Sequence, residues 1–385
     1  MQYFGNIIQK LKNIFNTRFA ILLMSFLLIL YIVSVSYNIN HVYKQDDILK
    51  MAITSHIQPE PMQSRVSKEY INTKLKDTNE RMFPFRYFQD ENGNMLPIVA
   101  VTGFFRDKKA KDLYFDYIKN GVIVIGITAY KSFPKKITDG SDDPFHLTDD
   151  FDYTKNIKDW LCCFKDPNEY GFTSGNNLID ISESDLYDVS TDPDIPKKYD
   201  FIYVCIKDND QCPMDGWNAI NRNFKLAKDC FPVLMNEFNL KGLIVGRVGC
   251  GLEQQFGDRV EVTDWLSWHE LQEKMKLSRF LFVPNVYDAS PRVIAECITK
   301  GLSVLMNRSI LCGSKYVTSE TGELFTDEKD IGVATASLLN KIDHTNPKKW
   351  WSENYGITRT AEKIRDFLYP TCPDVLGDVS QVKFS

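Results

Sequence analysis

The 385-residue chain lacks paired cysteine spacings, an excess of positive charge and a glycine-rich dinucleotide loop, and it has only five histidines. Each shortage removes a class of function. None of the nine cysteines forms a C-x-x-C pair, and adjacent Cys162 and Cys163 cannot easily both bridge elsewhere, so neither a zinc site nor a disulfide framework is indicated. The expectation is buried thiols. A net charge of -5 with interspersed signs offers no basic face for a nucleic-acid backbone and no acidic tail, which argues against a nucleic-acid partner. The segment VTGFFRDKKA lacks the G-x-G-x-x-G turn that a dinucleotide pyrophosphate needs, which disfavours a Rossmann dehydrogenase. Of the scarce histidines, His146 reads as a loop residue rather than a base.

Charge is also absent from Phe19 to Tyr37, a run long enough for about 28 Å of helix at ~1.5 Å per residue, close to the hydrocarbon thickness of a bilayer. The run reads as a membrane anchor over 19–37. A cleaved signal peptide is the rival, but the apolar core is longer than the usual one and no A-x-A-like site follows. Lys10, Lys12 and Arg18 precede the run, whereas the following twenty residues hold Lys44 and Lys50 against Asp46 and Asp47. This bias keeps residues 1–18 cytoplasmic and predicts a single-pass type II protein whose bulk faces an ER- or Golgi-like lumen. Buried thiols sit uneasily with a lumenal address, where an odd count leaves at least one cysteine unpaired. Asn307-Arg308-Ser309 is a glycosylation sequon placed directly after an apolar run, which says little about location.

What is present, 43% apolar residues over this length, suffices for a large core in two domains or one. Residues 38–82 are polar and broken by Pro59 and Pro61, and read as a stem. FRYFQ, DENGN and MLPIVAVTGFF read as strand, turn and strand; PIVAVTGFF, KKAKDLYFDYIKNG and VIVIGITAY then form a βαβ pattern. After a loop-rich section with one strand near Leu178 to Ile181, strands and helices alternate from YDFIYVCI through LSVLMN. A single helix is expected from Ala219 to Asn239, and another from Pro291 to Lys300. This alternation predicts an α/β fold of two doubly wound, Rossmann-like domains at 83–195 and 196–370, followed by a polar tail at 371–385.

The segment VPNVYDASPRVIAECITKGLSVL carries the chemistry. Asp288 follows the strand RFLFVPN, where ligands bind in open parallel sheets. Ser290 is a good N-cap and Pro291 a good first helical residue, leaving the amides of Arg292 and Val293 to face a phosphate. Glu296, on the next turn, suits a vicinal diol. A plainer reading stays open at this point: Glu296 could pair with Arg292 and Lys300 on a helix surface, and Asp288 could serve a turn.

Asp288 and Glu296, with seven residues between them and Gly301 following, resemble the E-x7-E signature of the retaining GT-B glycosyltransferases, which include sucrose synthase and many mannosyltransferases. The resemblance spans roughly Tyr199 to Asp327, with TGELF standing where that family has a Gly-Leu-Phe segment. DASPRVIAE, GLIVGRVGC, ESD at Glu183 to Asp185 and KSFP at Lys131 to Pro134 are also similar to uncharacterised glycosyltransferase-like proteins of large algal viruses and algae. The resemblance implies a nucleotide-sugar donor held by the C-terminal domain and a glycan or other hydroxyl acceptor held by the N-terminal one. Glu296 would take the ribose and Asp288 the donor sugar, while Trp265 and Leu266 lie in the loop that contacts the base. Lys207 stands where the family has an arginine. The family's next lysine has no counterpart here, and Arg222 and Arg247 are the substitutes. Retention in that family involves attack from the leaving-group face, so no protein nucleophile is assigned; the phosphate cradle needs no metal, and no cofactor beyond the donor is expected.

Two rival readings fit the same residues. Asp208-Asn209-Asp210 after FIYVCIK matches the D-x-D of metal-dependent GT-A glycosyltransferases, although Asp150-Phe151-Asp152 and Asp192-Pro193-Asp194 match the same short pattern. The other is a membrane-tethered protein that binds a nucleotide sugar without transferring it.

Overall fold

The structure is a computed structural model that describes residues 66, 68–75, 82–129, 131–135, 150–193, 195–289, 292–370 and 383–384. The membrane run Phe19 to Tyr37, most of the stem, His146, Ser290 and most of the tail lie outside the described residues; among those described, no helix is long and apolar enough to cross a membrane.

Two six-stranded sheets organise the body. The first has the order β12-β1-β2-β3-β4-β5, with β1 Phe85–Gln89, β2 Met95–Val101, β3 Ile123–Ile127, β4 Asp159–Leu161, β5 Asn177–Ile179 and β12 Lys383–Phe384. β1 and β2 form the expected hairpin, because Asp90 accepts the amides of Asn92 and Asn94 and Gly93 takes φ +79°. β2 through β5 run parallel. Between β2 and β3 lies helix α1, Lys108–Lys119, started by Asp107 capping the amide of Ala110. Its Ala110, Tyr114 and Tyr117 bury against one face of the sheet.

The loop-rich section holds two strands where one is expected. β4 is only three residues long, too short for any periodicity to register. Its Trp160 lies over Gly126 of β3, where an added Cβ would sit 2.2 Å from the indole ring, so only glycine fits. The expected stem also contributes to the body: Leu75, on the short helix Ile71–Leu75, is buried in the first core with Val66 and Tyr70 packed around it.

The second sheet is wholly parallel, in the order β11-β10-β9-β6-β7-β8, with β6 Tyr199–Val204, β7 Gly242–Val245, β8 Val260–Thr263, β9 Ser278–Val283, β10 Ser303–Asn307 and β11 Gly322–Phe325. In chain order this is 6-5-4-1-2-3, the doubly wound Rossmann order, whose switch point lies between β6 and β9. Both faces are covered, which is why its strands read as continuous apolar runs. Phe201, Tyr203, Phe280 and Phe282 face one core, and Ile202, Leu243, Leu281 and Val304 the other. The helix expected over Ala219 to Asn239 is broken into α2 Trp217–Asn221, α3 Phe224–Pro232 and a π-helical turn Val233–Glu237, with Asn223 at φ +48° between the first two. Helix α4 is Trp268–Lys276 and α5 Arg292–Ile298.

The expected domain boundary at residue 370 does not follow the packing. Helix α6, Ile357–Leu368, closes the chain's last helical stretch but buries Ala361, Ile364 and Leu368 against Ile98, Ile125 and Ile127 of the first sheet. Its amphipathic pattern requires an apolar partner without naming which one. The tail strand β12 likewise pairs with β1.

The expectation of thiols alone is also corrected. Cys163, after β4, is bonded to Cys312, after β10, and Cys212 to Cys250, the loops after β6 and β7. Cys162, Cys205, Cys230 and Cys297 are free and buried, as expected. Bridge geometry depends on distances between residues 149 and 38 positions apart, which no local spacing encodes.

Candidate active site

β9 delivers the chain to the switch point and stops at Pro284. The residues that follow are stitched down on several sides. Asn223 donates its side-chain amide to the Pro284 carbonyl at 3.0 Å, a contact made possible by the left-handed turn between α2 and α3. The amides of Leu311 and Cys312 donate to the carbonyls of Val286 and Asp288. Ala289 is buried in the core of the first sheet. The loop that carries Asp288 is thus pinned between the two sheets, and the Cys163–Cys312 bridge ties to the first sheet the segment that hydrogen-bonds it.

The Asp288 carboxylate accepts from Arg222 at 2.5 Å and from the Asn285 amide at 3.1 Å. Its side chain is 10% exposed and that of Arg222 is 38% exposed, so the cation covers the acid and still reaches solvent. An acid and a cation, predicted separately, therefore form one charge-assisted pair beside the switch point. Arg222 is oriented in turn because it ends α2 while its carbonyl accepts from the buried Tyr203 hydroxyl.

Glu296 is not half of a surface ion pair. It is 7% exposed, on the second turn of α5, and its carboxylate accepts from the indole N–H of Trp268 at 3.2 Å and from the Tyr187 hydroxyl at 3.4 Å. Burial and the neighbouring Glu296 charge push the Tyr187 hydroxyl up to about 12, so it stays a donor at neutral pH. Neither Trp268 nor Tyr187 is foreseen from the sequence, nor is Asn285. Trp268 opens α4 directly after the N-capping Ser267, and its ring is 65% exposed while its N–H reaches Glu296.

The remaining candidates divide. Arg292 is exposed and Val293 partly buried at the start of α5, with the expected cap Ser290 outside the described residues. Trp265 is exposed in the loop after β8, whereas Leu266 packs on the core. Lys207 lies at the end of β6, 2.8 Å from the Asp210 carboxylate, with its Nζ also 3.4 Å from the Val248 carbonyl. Gly246, at φ +92°, lets the β7 turn approach so closely that an added Cβ would sit 2.7 Å from the Ile206 Cα. Arg247 departs from expectation: it is 0% exposed, donates to the Cys205 sulfur at 2.8 Å and stacks 4.1 Å from the Phe224 ring centre. Its guanidinium is engaged by Cys205 and Phe224, both in the buried core of the second sheet, and does not reach the surface.

Asp208 is occupied as a helix cap. One oxygen accepts the amide and side chain of Asn218, and the other the amide of Ala219, so both oxygens are engaged by the start of α2. Asp210 faces water beside Lys207. Among the described residues, no group of three His, Cys, Asp or Glu side chains is arranged to hold a metal ion. The ESD segment is a joint between the sheets. Ser182 and Asp185 form a capping box, and the buried Asp185 carboxylate also takes Lys315 at 2.8 Å and the Tyr316 hydroxyl.

No protein-family model matches the sequence, and no curated protein matches it. Among solved structures, the chain is similar to the lipopolysaccharide outer core galactosyltransferase WaaB, at 13% identity over 71% of this chain and 75% of that one, with a TM-score of 0.48. A sucrose-phosphate synthase from Thermosynechococcus elongatus matches at 13% identity over 71% and 73%, with a TM-score of 0.49. The pneumococcal O-GlcNAc transferase GtfA, solved with UDP and GlcNAc, matches at 11% over 70% of this chain, with a TM-score of 0.47. The chain spans only 55% of that protein's length. Similarity at this level describes the path of the backbone and nothing of the chemistry.

Proposed function

We propose that the chain is a glycosyltransferase of the GT-B type, which moves a sugar with retention from a nucleotide-sugar donor to a hydroxyl of a glycan or glycoprotein acceptor. The observation that carries this reading is the Asp288–Arg222 pair at the switch point, with Glu296 held eight positions further on inside the body. The donor sugar's hydroxyls compete for Asp288, and release of Arg222 from that carboxylate turns the cation toward the leaving diphosphate. Negative charge develops there only as the glycosidic bond breaks, so the cation stabilises the transition state more than the ground state. The acceptor oxygen forms its bond to the anomeric carbon on the same face, and its proton passes to the departing phosphate oxygen. Trp268 and Tyr187 hold the Glu296 carboxylate in place for the ribose, and exposed Trp265 and Trp268 offer faces for a base.

We place this body on the lumenal side of a membrane, anchored by Phe19 to Tyr37. Two disulfides suit an oxidising compartment and ease the tension between the cysteine count and a lumenal address. Protease protection in sealed microsomes tests it: a body cleaved without detergent refutes the orientation.

For the activity, the experiment is thermal stabilisation by a panel of UDP-, GDP- and CDP-sugars, repeated with Glu296→Ala. One donor class is expected to raise the melting temperature and to lose its effect in the variant. No stabilisation by any donor, with no release of nucleoside diphosphate, refutes the reading.

A further inference from the structure

A pocket of about 380 Å³ opens between β1, the ESD joint, the start of α5, the start of α6 and the tail strand β12. Neither Asp288, Arg222 nor Asn285 lines it, so it is distinct from the charge pair at the switch point. It adjoins the Glu296 side, because Tyr187 lines it and donates its hydroxyl to that carboxylate.

The lining is unbalanced in charge. Arg86, Arg292 and Lys383 come from three separate elements, and Glu183 is the single acid among the lining residues. The Arg86–Glu183 approach is 3.6 Å, with the arginine side chain 51% exposed and the carboxylate 15% exposed, a long contact that leaves most of the guanidinium unused. Among the described residues, the side chains of Arg292 and Lys383 make no hydrogen bond and no ion pair, Lys383 joining β1 through its backbone alone. Three cations on one concave site face a single lining carboxylate, so an anion between them offsets the repulsion that Glu183 alone leaves. Leu186 and Ile357 add apolar lining, against which the C–H face of a sugar ring can pack.

We propose that this pocket binds an anionic sugar, one that bears a phosphate or a carboxylate. The two arginines and the lysine take the anionic group, Glu183 accepts ring hydroxyls, and Leu186 and Ile357 carry the ring. Resting on the transferase reading, the pocket holds the charged sugar of the acceptor, since β1 brings Arg86 from the sheet opposite the donor-side acids. Recognition by guanidinium suits planar or trigonal oxygen arrays better than hydroxyls alone.

The test uses calorimetric titration of the whole chain with glucose 6-phosphate, glucuronate, inorganic phosphate and neutral glucose, for the parent protein and for Arg86→Gln/Lys383→Gln. Both substituted side chains are exposed, and the variant's unliganded melting temperature serves as the folding check. The parent is expected to bind at least one of the two anionic sugars at least tenfold more tightly than glucose, with affinity falling as salt rises, and the double variant to lose most of that preference. The phosphate ester and the uronate distinguish which anion is preferred, and inorganic phosphate reports the anion subsite without the ring. Arg222→Ala is expected to leave this binding unchanged. Equal binding of glucose and both anionic sugars, or an undiminished preference in the double variant, overturns the proposal. A failed nucleotide-sugar panel alongside an intact anion preference would instead strike the transferase reading alone.

Discussion

Removal of the Cys163–Cys312 bridge should destabilise the protein more than removal of the Cys212–Cys250 bridge. The bridge closes a segment of sequence separation 149, and the chain-entropy relation gives ~5 kcal/mol for a loop of that length. The same relation gives about 4 kcal/mol for the Cys212–Cys250 bridge, of separation 38. The difference in position matters more than the difference in size. Cys212–Cys250 joins two loops on one sheet, whereas Cys163–Cys312 joins the two sheets and abuts Asp288 through the Cys312 amide. Urea unfolding of Cys163→Ser/Cys312→Ser under non-reducing conditions is therefore expected to show a lower midpoint than the parent, and turnover should fall as well. Cys212→Ser/Cys250→Ser should lose stability while keeping the sheets cross-linked. Mass spectrometry after alkylation of the unfolded, unreduced parent should find Cys163, Cys312, Cys212 and Cys250 protected and Cys162, Cys205, Cys230 and Cys297 alkylated. An unchanged midpoint in the first variant, or full alkylation of the parent, would refute the assignment of this bridge as a structural clamp.

Three further outcomes are expected. Arg222→Ala should cost roughly 1–2 kcal/mol of stability in the parent, since Asp288 loses its partner while nearly buried, but much less in an Asp288→Asn background; equal losses in a double-mutant cycle would mean the pair is not coupled. Transfer activity should survive excess chelator, and Asp210→Ala should leave it unchanged; dependence on a divalent ion would restore the D-x-D reading, whatever Asp208 does as a cap. Burial alone would raise Glu261, but hydrogen bonds from Lys198 and Lys274 hold it down to about 2. Its stabilising contribution is thus fully present above the usual carboxylate range near 4.5 and is lost as pH falls toward 2, so Glu261→Gln should flatten the acid limb of stability against pH measured by urea unfolding.

The second sheet was readable because its strands are buried on both faces. YDFIYV, GLIV and SRFLFV carry apolar runs that no surface strand would tolerate, and the alternation with helices fixes a parallel arrangement. The placement of Asp288 after such a strand and of Glu296 on the following helix was legible for a related reason, whereas the roles assigned to them came from the resemblance to the E-x7-E pattern. Pairings across space were not readable. That Arg222 covers Asp288 depends on a left-handed turn at Asn223 that moves the end of α2 over the switch point, and nothing local demands it. Arg247 looked like a loop cation beside glycines, and its inward path is set by contacts with Cys205 and Phe224, which lie far off in the sequence. Trp268 and Tyr187 reach Glu296 from segments 28 and 109 positions away, beyond the reach of any periodicity.

Helix α6 has one more implication, for the order of events at the ribosome. The sheet formed by residues 85–179 emerges early, yet one of its faces stays uncovered until residues 357–368 have been made. During that interval Ile98, Ile125 and Ile127 present a greasy, half-finished surface, a liability that a nascent chain meets by waiting in the care of a chaperone. A truncation just before α6 should consequently clump rather than yield a working fragment, even though every strand of both sheets except the short tail strand β12 would already be present.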